Sequence, residues 1–164
     1  MQARIDYPQV EPEAFNTMLG LRKYVMKSGI ERSLIDLIVL RASQINHCAF
    51  CIDMHFKDAR ASGETEQRLY SLEVWRETGF YSDRERAGLA WTEAVTLLTE
   101  GYVPDEVYEQ VQEQFTETEL VSLTMAVIEI NGWNRLNVSF RTVPGQYQSQ
   151  RQPEPAMTGM PVNG

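Results

Sequence analysis

Cysteine and histidine are nearly absent from this chain: 164 residues hold two of each. Two cysteines cannot build a disulfide framework, so the pair reads as chemistry rather than scaffolding. No apolar run reaches the roughly 18 residues that a membrane-spanning helix needs. No segment alternates convincingly as a strand; Val138-Ser139-Phe140 comes nearest, and continuation of a helix explains it as well. Basic residues are outnumbered 15 to 23, leaving a net charge of −8. Without a local Lys/Arg cluster, that charge repels nucleic acid and anionic membrane, and neither is expected as a partner. The opening MQARIDYPQV has no basic-then-apolar leader, so a cytoplasmic location is expected.

What remains is an ordinary globular composition, 43% hydrophobic and 23% charged. A chain of this length forms one domain and can bury roughly 70% of its unfolded surface, enough for a core without disulfides or a structural metal. The patterning is helical throughout. Pro12 suits the first turn of a helix that ends by Gly29. Residues 31–46 are apolar on every face through Leu34, Ile35, Leu37, Ile38, Val39 and Leu40, the mark of a buried helix. Asp36 is the only charge between Arg32 and Arg41. A third helix runs from about Ala49 to Ser62 and stops at Gly63. Ser82 with Glu85, and Thr116 with Glu119, have capping-box spacing. The first opens a helix that ends at Gly101. A short helix follows from Val103-Pro104-Asp105 to about Phe115, and the second box opens a long one towards Phe140. Helical hairpins on short turns predict an all-α bundle over residues 1–142. Residues 143–164 hold four of the seven prolines and four glutamines, and read as an extended tail, held in place by a neighbouring subunit if at all.

All four Cys and His residues fall in Asn46-His47-Cys48-Ala49-Phe50-Cys51-Ile52-Asp53-Met54-His55. If Cys48 starts the helix, Cys51 lies one turn in and the sulfurs can meet as a disulfide. Free N–H groups of the first turn favour a thiolate. His55, four residues beyond Cys51, shares its face. The helix dipole favours Cys48 as the attacking sulfur, and proximity to the base favours Cys51. The need for a base within reach tips the expectation to Cys51. A turn at Gln44–His47 would fold the second helix against the third, and Asp36 would then face His55 and fix its tautomer. A tetrahedral zinc site needs four ligands and no second cysteine pair exists. Haem attachment needs His directly after the second cysteine, where Ile52 stands. His47 reads as a turn residue, Trp75, Trp91 and Trp133 as core or interface aromatics. Glu129, an acid inside an apolar helix, is a candidate for pairing across an interface.

Leu34-Ile35-Asp36-Leu37, then Arg41-Ala42-Ser43-Gln44-Ile45-Asn46 followed by Cys48-x-x-Cys51-x-x-x-His55, resembles the alkylhydroperoxidase/carboxymuconolactone decarboxylase family (AhpD-like). The similarity continues through Gly63–Arg68 and Ala90–Ala94 to Asn131-Gly132-Trp133-Asn134-Arg135. The resemblance implies an all-helical fold, homo-oligomers (trimers or hexamers), and thiol peroxidase or disulfide reductase activity; no cofactor or metal is expected. It implies Cys51 as peroxidatic sulfur, Cys48 as resolving sulfur, His55 as proton relay and Asp36 as relay acid. The family's relay acid is a glutamate, so Asp36 is one methylene shorter. Phe50 stands where the peroxidases carry a histidine. The implied partners are a hydroperoxide substrate and an external dithiol reductant. Two other readings remain: a redox-sensing or interaction protein with a regulatory disulfide, and a carboxymuconolactone decarboxylase-like enzyme. The decarboxylase branch generally lacks the cysteine pair. The long helix 117–140, with the helix 31–46, is expected to line a subunit interface.

Overall fold

A computed structural model describes residues 2–152. It is all-helical: α1 (Tyr7–Val10), α2 (Pro12–Val25), α3 (Arg32–Ile45), α4 (Ala49–Ala61), α5 (Glu66–Tyr70), a 3-10 segment (Leu72–Glu77), α6 (Asp83–Thr96), α7 (Leu98–Gly101), α8 (Asp105–Gln114) and α9 (Glu117–Phe140). Among the described residues no helix is long and apolar enough to cross a membrane.

α3 is the hub. Residues 34–40 are all buried, Asp36 included. One side packs Leu34, Ile35, Ile38 and Val39 against α6, α8 and α9. The other packs Leu37 and Leu40 against Ala59, Leu69, Leu72 and Trp75. A helix apolar all round needs cover all round, and here the chain itself supplies it. The expectation that α3 lines a subunit interface is therefore corrected: its apolar faces are consumed inside the subunit. α9 differs, because Val121 (60% exposed) and Ile128 (47%) stay open.

Both capping boxes form as read, Ser82 with Glu85 and Thr116 with Glu119. The helix from Ser82 breaks early at Leu97, where φ −102° and ψ 34° leave the helical region, and α7 continues to Gly101. Sequence periodicity missed α1, α5 and the 3-10 segment. Each is six residues or fewer, too short to show a period.

The first part of the tail is held by its own chain. Residues 143–151 run as a strap along α4 of the same chain. Lys57 donates to the carbonyls of Gly145 and Tyr147, and the Gly145 amide donates to Asp53. Tyr147 and Ser149 donate to Asp58, and Arg151 reaches both Asp58 and Asp36. Residues 153–164 lie outside the described residues.

Arg151 contacts both carboxylate oxygens of Asp36 at 2.7 Å, while Arg32 stands 3.4 Å away. Removing the nearer partner of a buried charge strands it, which typically costs several kcal/mol. Arg151→Ala is expected to lower unfolding free energy in urea by roughly 2–4 kcal/mol, tempered by the remaining Arg32. Asp36→Asn in the same background should recover part of the loss, because it removes the stranded charge.

Candidate active site

The turn from α3 to α4 delivers the motif. Asn46 ends α3, and His47 takes the left-handed conformation at φ 52°. The His47 amide donates to the Gln44 carbonyl and the Cys48 amide to the Ser43 carbonyl. This pair of bonds is a Schellman closure with histidine at the position usually held by glycine. His47 is the turn residue the sequence indicated. Cys48 emerges as the N-cap of α4, its sulfur accepting from the Cys51 amide at 3.3 Å. Cys48 and Cys51 form a disulfide with Cα atoms 5.2 Å apart. Both are fully buried. Among the described residues no three Cys, His, Asp or Glu side chains are grouped to hold a metal ion.

A polar seam fixes this turn to α9. The Asn46 side-chain amide donates to the Ala42 carbonyl and to the side chains of Asn131 and Asn134. Asn134 donates to Ser43, whose hydroxyl donates to the Val39 carbonyl. The separated motifs Ser43…Asn46 and Asn131…Asn134 thus meet in one network. One turn further along α9, the Asn137 side-chain amide approaches the Cys51 sulfur at 3.5 Å. Tyr7 donates to the Asn137 oxygen at 3.2 Å. Sequence reasoning missed Asn137, which lies 86 residues from Cys51 and carries no local signal.

His55 is 4% exposed, one turn beyond Cys51 on α4. Neither ring nitrogen has a hydrogen-bond partner among the described residues. The expected contact with Asp36 is corrected. The Asp36 carboxylate belongs to Arg151 and Arg32 instead. The physical reason is competition: a guanidinium offers a buried carboxylate charge as well as a hydrogen bond, and a neutral imidazole offers only the bond. Burial, and the positive charges of Arg22, Arg151 and Arg32, push the His55 pKa down to about 3. The ring is neutral at physiological pH.

His55 also lines a cavity of about 610 Å³ between α2, α4, α9, the N-terminal segment and the strap. Its walls are mainly apolar, with Phe15, Leu19, Phe50, Met54 and Trp133 among them. Glu129 pairs within the chain, accepting from the Trp133 indole at 2.8 Å and lying 3.5 Å from Arg22. The pairing across an interface is corrected accordingly.

The sequence profile of the carboxymuconolactone decarboxylase family matches residues 12–94. The uncharacterized protein YdfG of Bacillus subtilis (strain 168) is 45% identical over 139 residues, 85% of this chain and 95% of that one. A crystal structure from Agrobacterium tumefaciens, of a protein of unknown function and candidate antioxidant defence protein AhpD, superposes with a TM-score of 0.86. It is 44% identical and covers 89% of this chain and 100% of its own. An uncharacterized peroxidase-related protein from Ralstonia eutropha JMP134, with an alkylhydroperoxidase AhpD core, shares the fold. Its TM-score is 0.75 at 18% identity, covering 85% of this chain and 74% of that one.

The low His55 pKa has a consequence for stability. An unfolded histidine takes up its proton near pH 6.5, whereas the folded one resists until about pH 3. Between those values the unfolded state binds more protons, so stability is intact above pH 6.5 and falls as pH drops through this window. Carboxylates held down by ion pairs, such as Glu85 and Glu93, act in the same direction, so the test is a difference. Between pH 7 and 4.5 the disulfide form should lose roughly 2–3 kcal/mol more in urea unfolding than His55→Leu does. Equal losses would contradict a buried neutral imidazole.

Proposed function

The chain belongs to the carboxymuconolactone decarboxylase family, and from that premise we propose that it is a thiol-dependent hydroperoxide reductase working through Cys48 and Cys51. The observation that carries the reading is the disulfide at the N-terminus of α4, with His55 one turn below it and bordering an apolar cavity. A structural cross-link between residues three apart closes too small a loop to constrain the unfolded chain much. Placed at a helix start, the same pair is suited to redox turnover.

In the proposed cycle the Cys51 thiolate attacks the terminal oxygen of R–O–OH. The O–O bond breaks, the alkoxide takes a proton and leaves as alcohol, and Cys51 becomes a sulfenic acid. Cys48 displaces water from it and forms the disulfide. An external dithiol returns two electrons and two protons by thiol–disulfide exchange. His55 handles the proton. Asp36 tunes the relay without contacting it, by pairing with Arg151 and Arg32, whose charges bear on His55. Asn137 steadies the Cys51 sulfur. The subunits assemble as a homo-oligomer through the exposed face of α9.

Stopped-flow oxidation of the reduced protein, with thiol counting, tests the assignment. Cys51→Ser should abolish the fast reaction with peroxide. Cys48→Ser should consume one equivalent and stall as a trappable sulfenic acid. His55→Ala should slow the attack by about 10²-fold or more, and Asp36→Asn by less. Sulfenic acid forming in Cys51→Ser, with Cys48→Ser inert, would reverse the two roles. Slow oxidation coupled to a change of oligomer would favour a redox sensor instead, and activity surviving loss of both cysteines a decarboxylase-like enzyme.

The assembly is checked separately. Light scattering at micromolar concentration should return a multiple of 18.8 kDa. Val121→Lys with Ile128→Glu should shift it towards the monomer.

A further inference from the structure

The floor of the cavity holds three polar side chains that the redox cycle does not fully use. Glu129 (1% exposed) and His55 are more than nine-tenths buried, and Arg22 lies beside Glu129. Glu129 Oε2, Arg22 Nη1 and both His55 ring nitrogens lack hydrogen-bond partners among the described residues. The Arg22–Glu129 contact, at 3.5 Å, has ion-pair distance without hydrogen-bond geometry. Among the described residues the one hydrogen bond to Glu129 reaches its other oxygen, from Trp133. Burial pushes its pKa up, opposed by Arg22 and Trp133. Buried polar atoms are nearly always satisfied in native proteins, so a cluster left open on a cavity wall points to something that enters.

We propose that this cavity is a binding site for a neutral, largely apolar molecule with a hydroxylic head, received by Arg22 and Glu129 beside His55. The chemistry of the floor defines the head. Arg22 can only donate, ionised Glu129 can only accept, and neutral His55 does one at each nitrogen. A group that both gives and takes a hydrogen bond fits all three, as an alcohol, a phenol or a hydroperoxide does.

Charge defines the rest. Arg22 and Glu129 cancel, Asp58 is already held by Arg151, Tyr147 and Ser149, and Asp6 stands exposed among the lining residues. An anion would meet Asp6 and would find the Arg22 charge already matched by Glu129. A cation would meet Arg22 on the cavity wall and would find the Glu129 charge already matched by it. The volume of about 610 Å³ lies inside the roughly 300–1,000 Å³ typical of small-molecule sites and exceeds what hydrogen peroxide needs. The binding claim is independent of peroxide reduction; only the identification of a bound hydroperoxide as substrate rests on the proposed cycle.

The test uses the full chain in its disulfide form, so that no turnover occurs. The probes are 2-phenyl-2-propanol, cumene (the same body without the hydroxyl) and 2-phenylpropanoate (a similar body with a negative charge). Binding is read by calorimetry and by quenching of Trp133, with Trp133→Phe as control for the other tryptophans. The alcohol should bind about tenfold tighter than cumene, and the anion weaker than the alcohol. Glu129→Gln, which keeps the Trp133 contact, and Arg22→Met should each cut affinity for the alcohol while leaving cumene unchanged. Equal binding of alcohol and cumene, tighter binding of the anion, or binding only after dilution to monomers would overturn the proposal; the last would mean that a second copy fills the cavity. In the reduced protein, cumene hydroperoxide that outpaces hydrogen peroxide in wild type but not in Glu129→Gln would make the occupant a substrate. Alcohol binding without that difference would make it a bound product or effector. Both outcomes support the site. Failure of peroxide turnover would count against the proposed cycle and leave the binding result standing.

Discussion

Everything at the candidate site hangs on one turn. Between α3 and α4 the chain reverses in three residues, and the reversal works because His47 accepts a left-handed backbone. That conformation costs an L-residue of the order of 1 kcal/mol. It is offset by the two closing hydrogen bonds and by the Asn46 side chain, which binds α9 at two points. The turn fixes where α4 begins, and therefore which sulfur caps the helix, which one lies a turn inside, and which face His55 occupies. Moving the start of α4 by one residue would rotate that face by about 100° and carry His55 away from the cavity.

The second constraint is the burial of charge. α3 is covered on every side, yet it carries Asp36 at its centre. A buried carboxylate must be partnered, and its main partner arrives from the strap more than a hundred residues later in the chain, as Arg151. The same guanidinium also holds Asp58, so one cation ties α3, α4 and the strap together. This explains why a segment with the composition of a tail is part of the fold as far as Arg151. Its prolines and glutamines build no core of their own, but it contributes a charge that the core requires.

What was legible in the sequence follows from the range of each interaction. Capping boxes, the Gly63 stop, the start of α4 at Cys48 and the all-round burial of α3 are local patterns, and all appear in the fold. The sulfur pair was legible because three residues along a helix fix the geometry. The strap was not, because its role depends on Asp36 and Asp58 being buried where Arg151 can reach them. Asp36 itself was read as a buried acid needing a partner. The fold of one helix against the next at the Gln44–His47 turn suggested His55 as that partner, and the guanidinium of Arg151 competes better. Asn137 and the Arg22–Glu129 pair were invisible for the same reason: each is defined by which helices pack together. Glu129 alone left a trace, as an acid in an apolar helix.

The electrostatics of the site tie the two oxidation states together. In the disulfide there is no negative charge on sulfur, and His55 is held neutral by burial and by the charges of Arg22, Arg151 and Arg32. A base that weak cannot by itself take and keep a thiol proton at neutral pH. The amides at the start of α4 favour a thiolate on reduction. In the proposed cycle that thiolate supplies the anion that His55 lacks and raises its affinity for a proton. In the proposed cycle the order is therefore set by charge: sulfur ionises first, the imidazole becomes a competent proton carrier second, and the proton is at hand when the O–O bond breaks and an alkoxide needs it. Oxidation to the disulfide removes the anion and returns His55 to its neutral state. In the proposed cycle Arg22, Arg32 and Arg151 keep the proton affinity of His55 low until sulfur ionises, and their pairing with Glu129 and Asp36 tempers that effect.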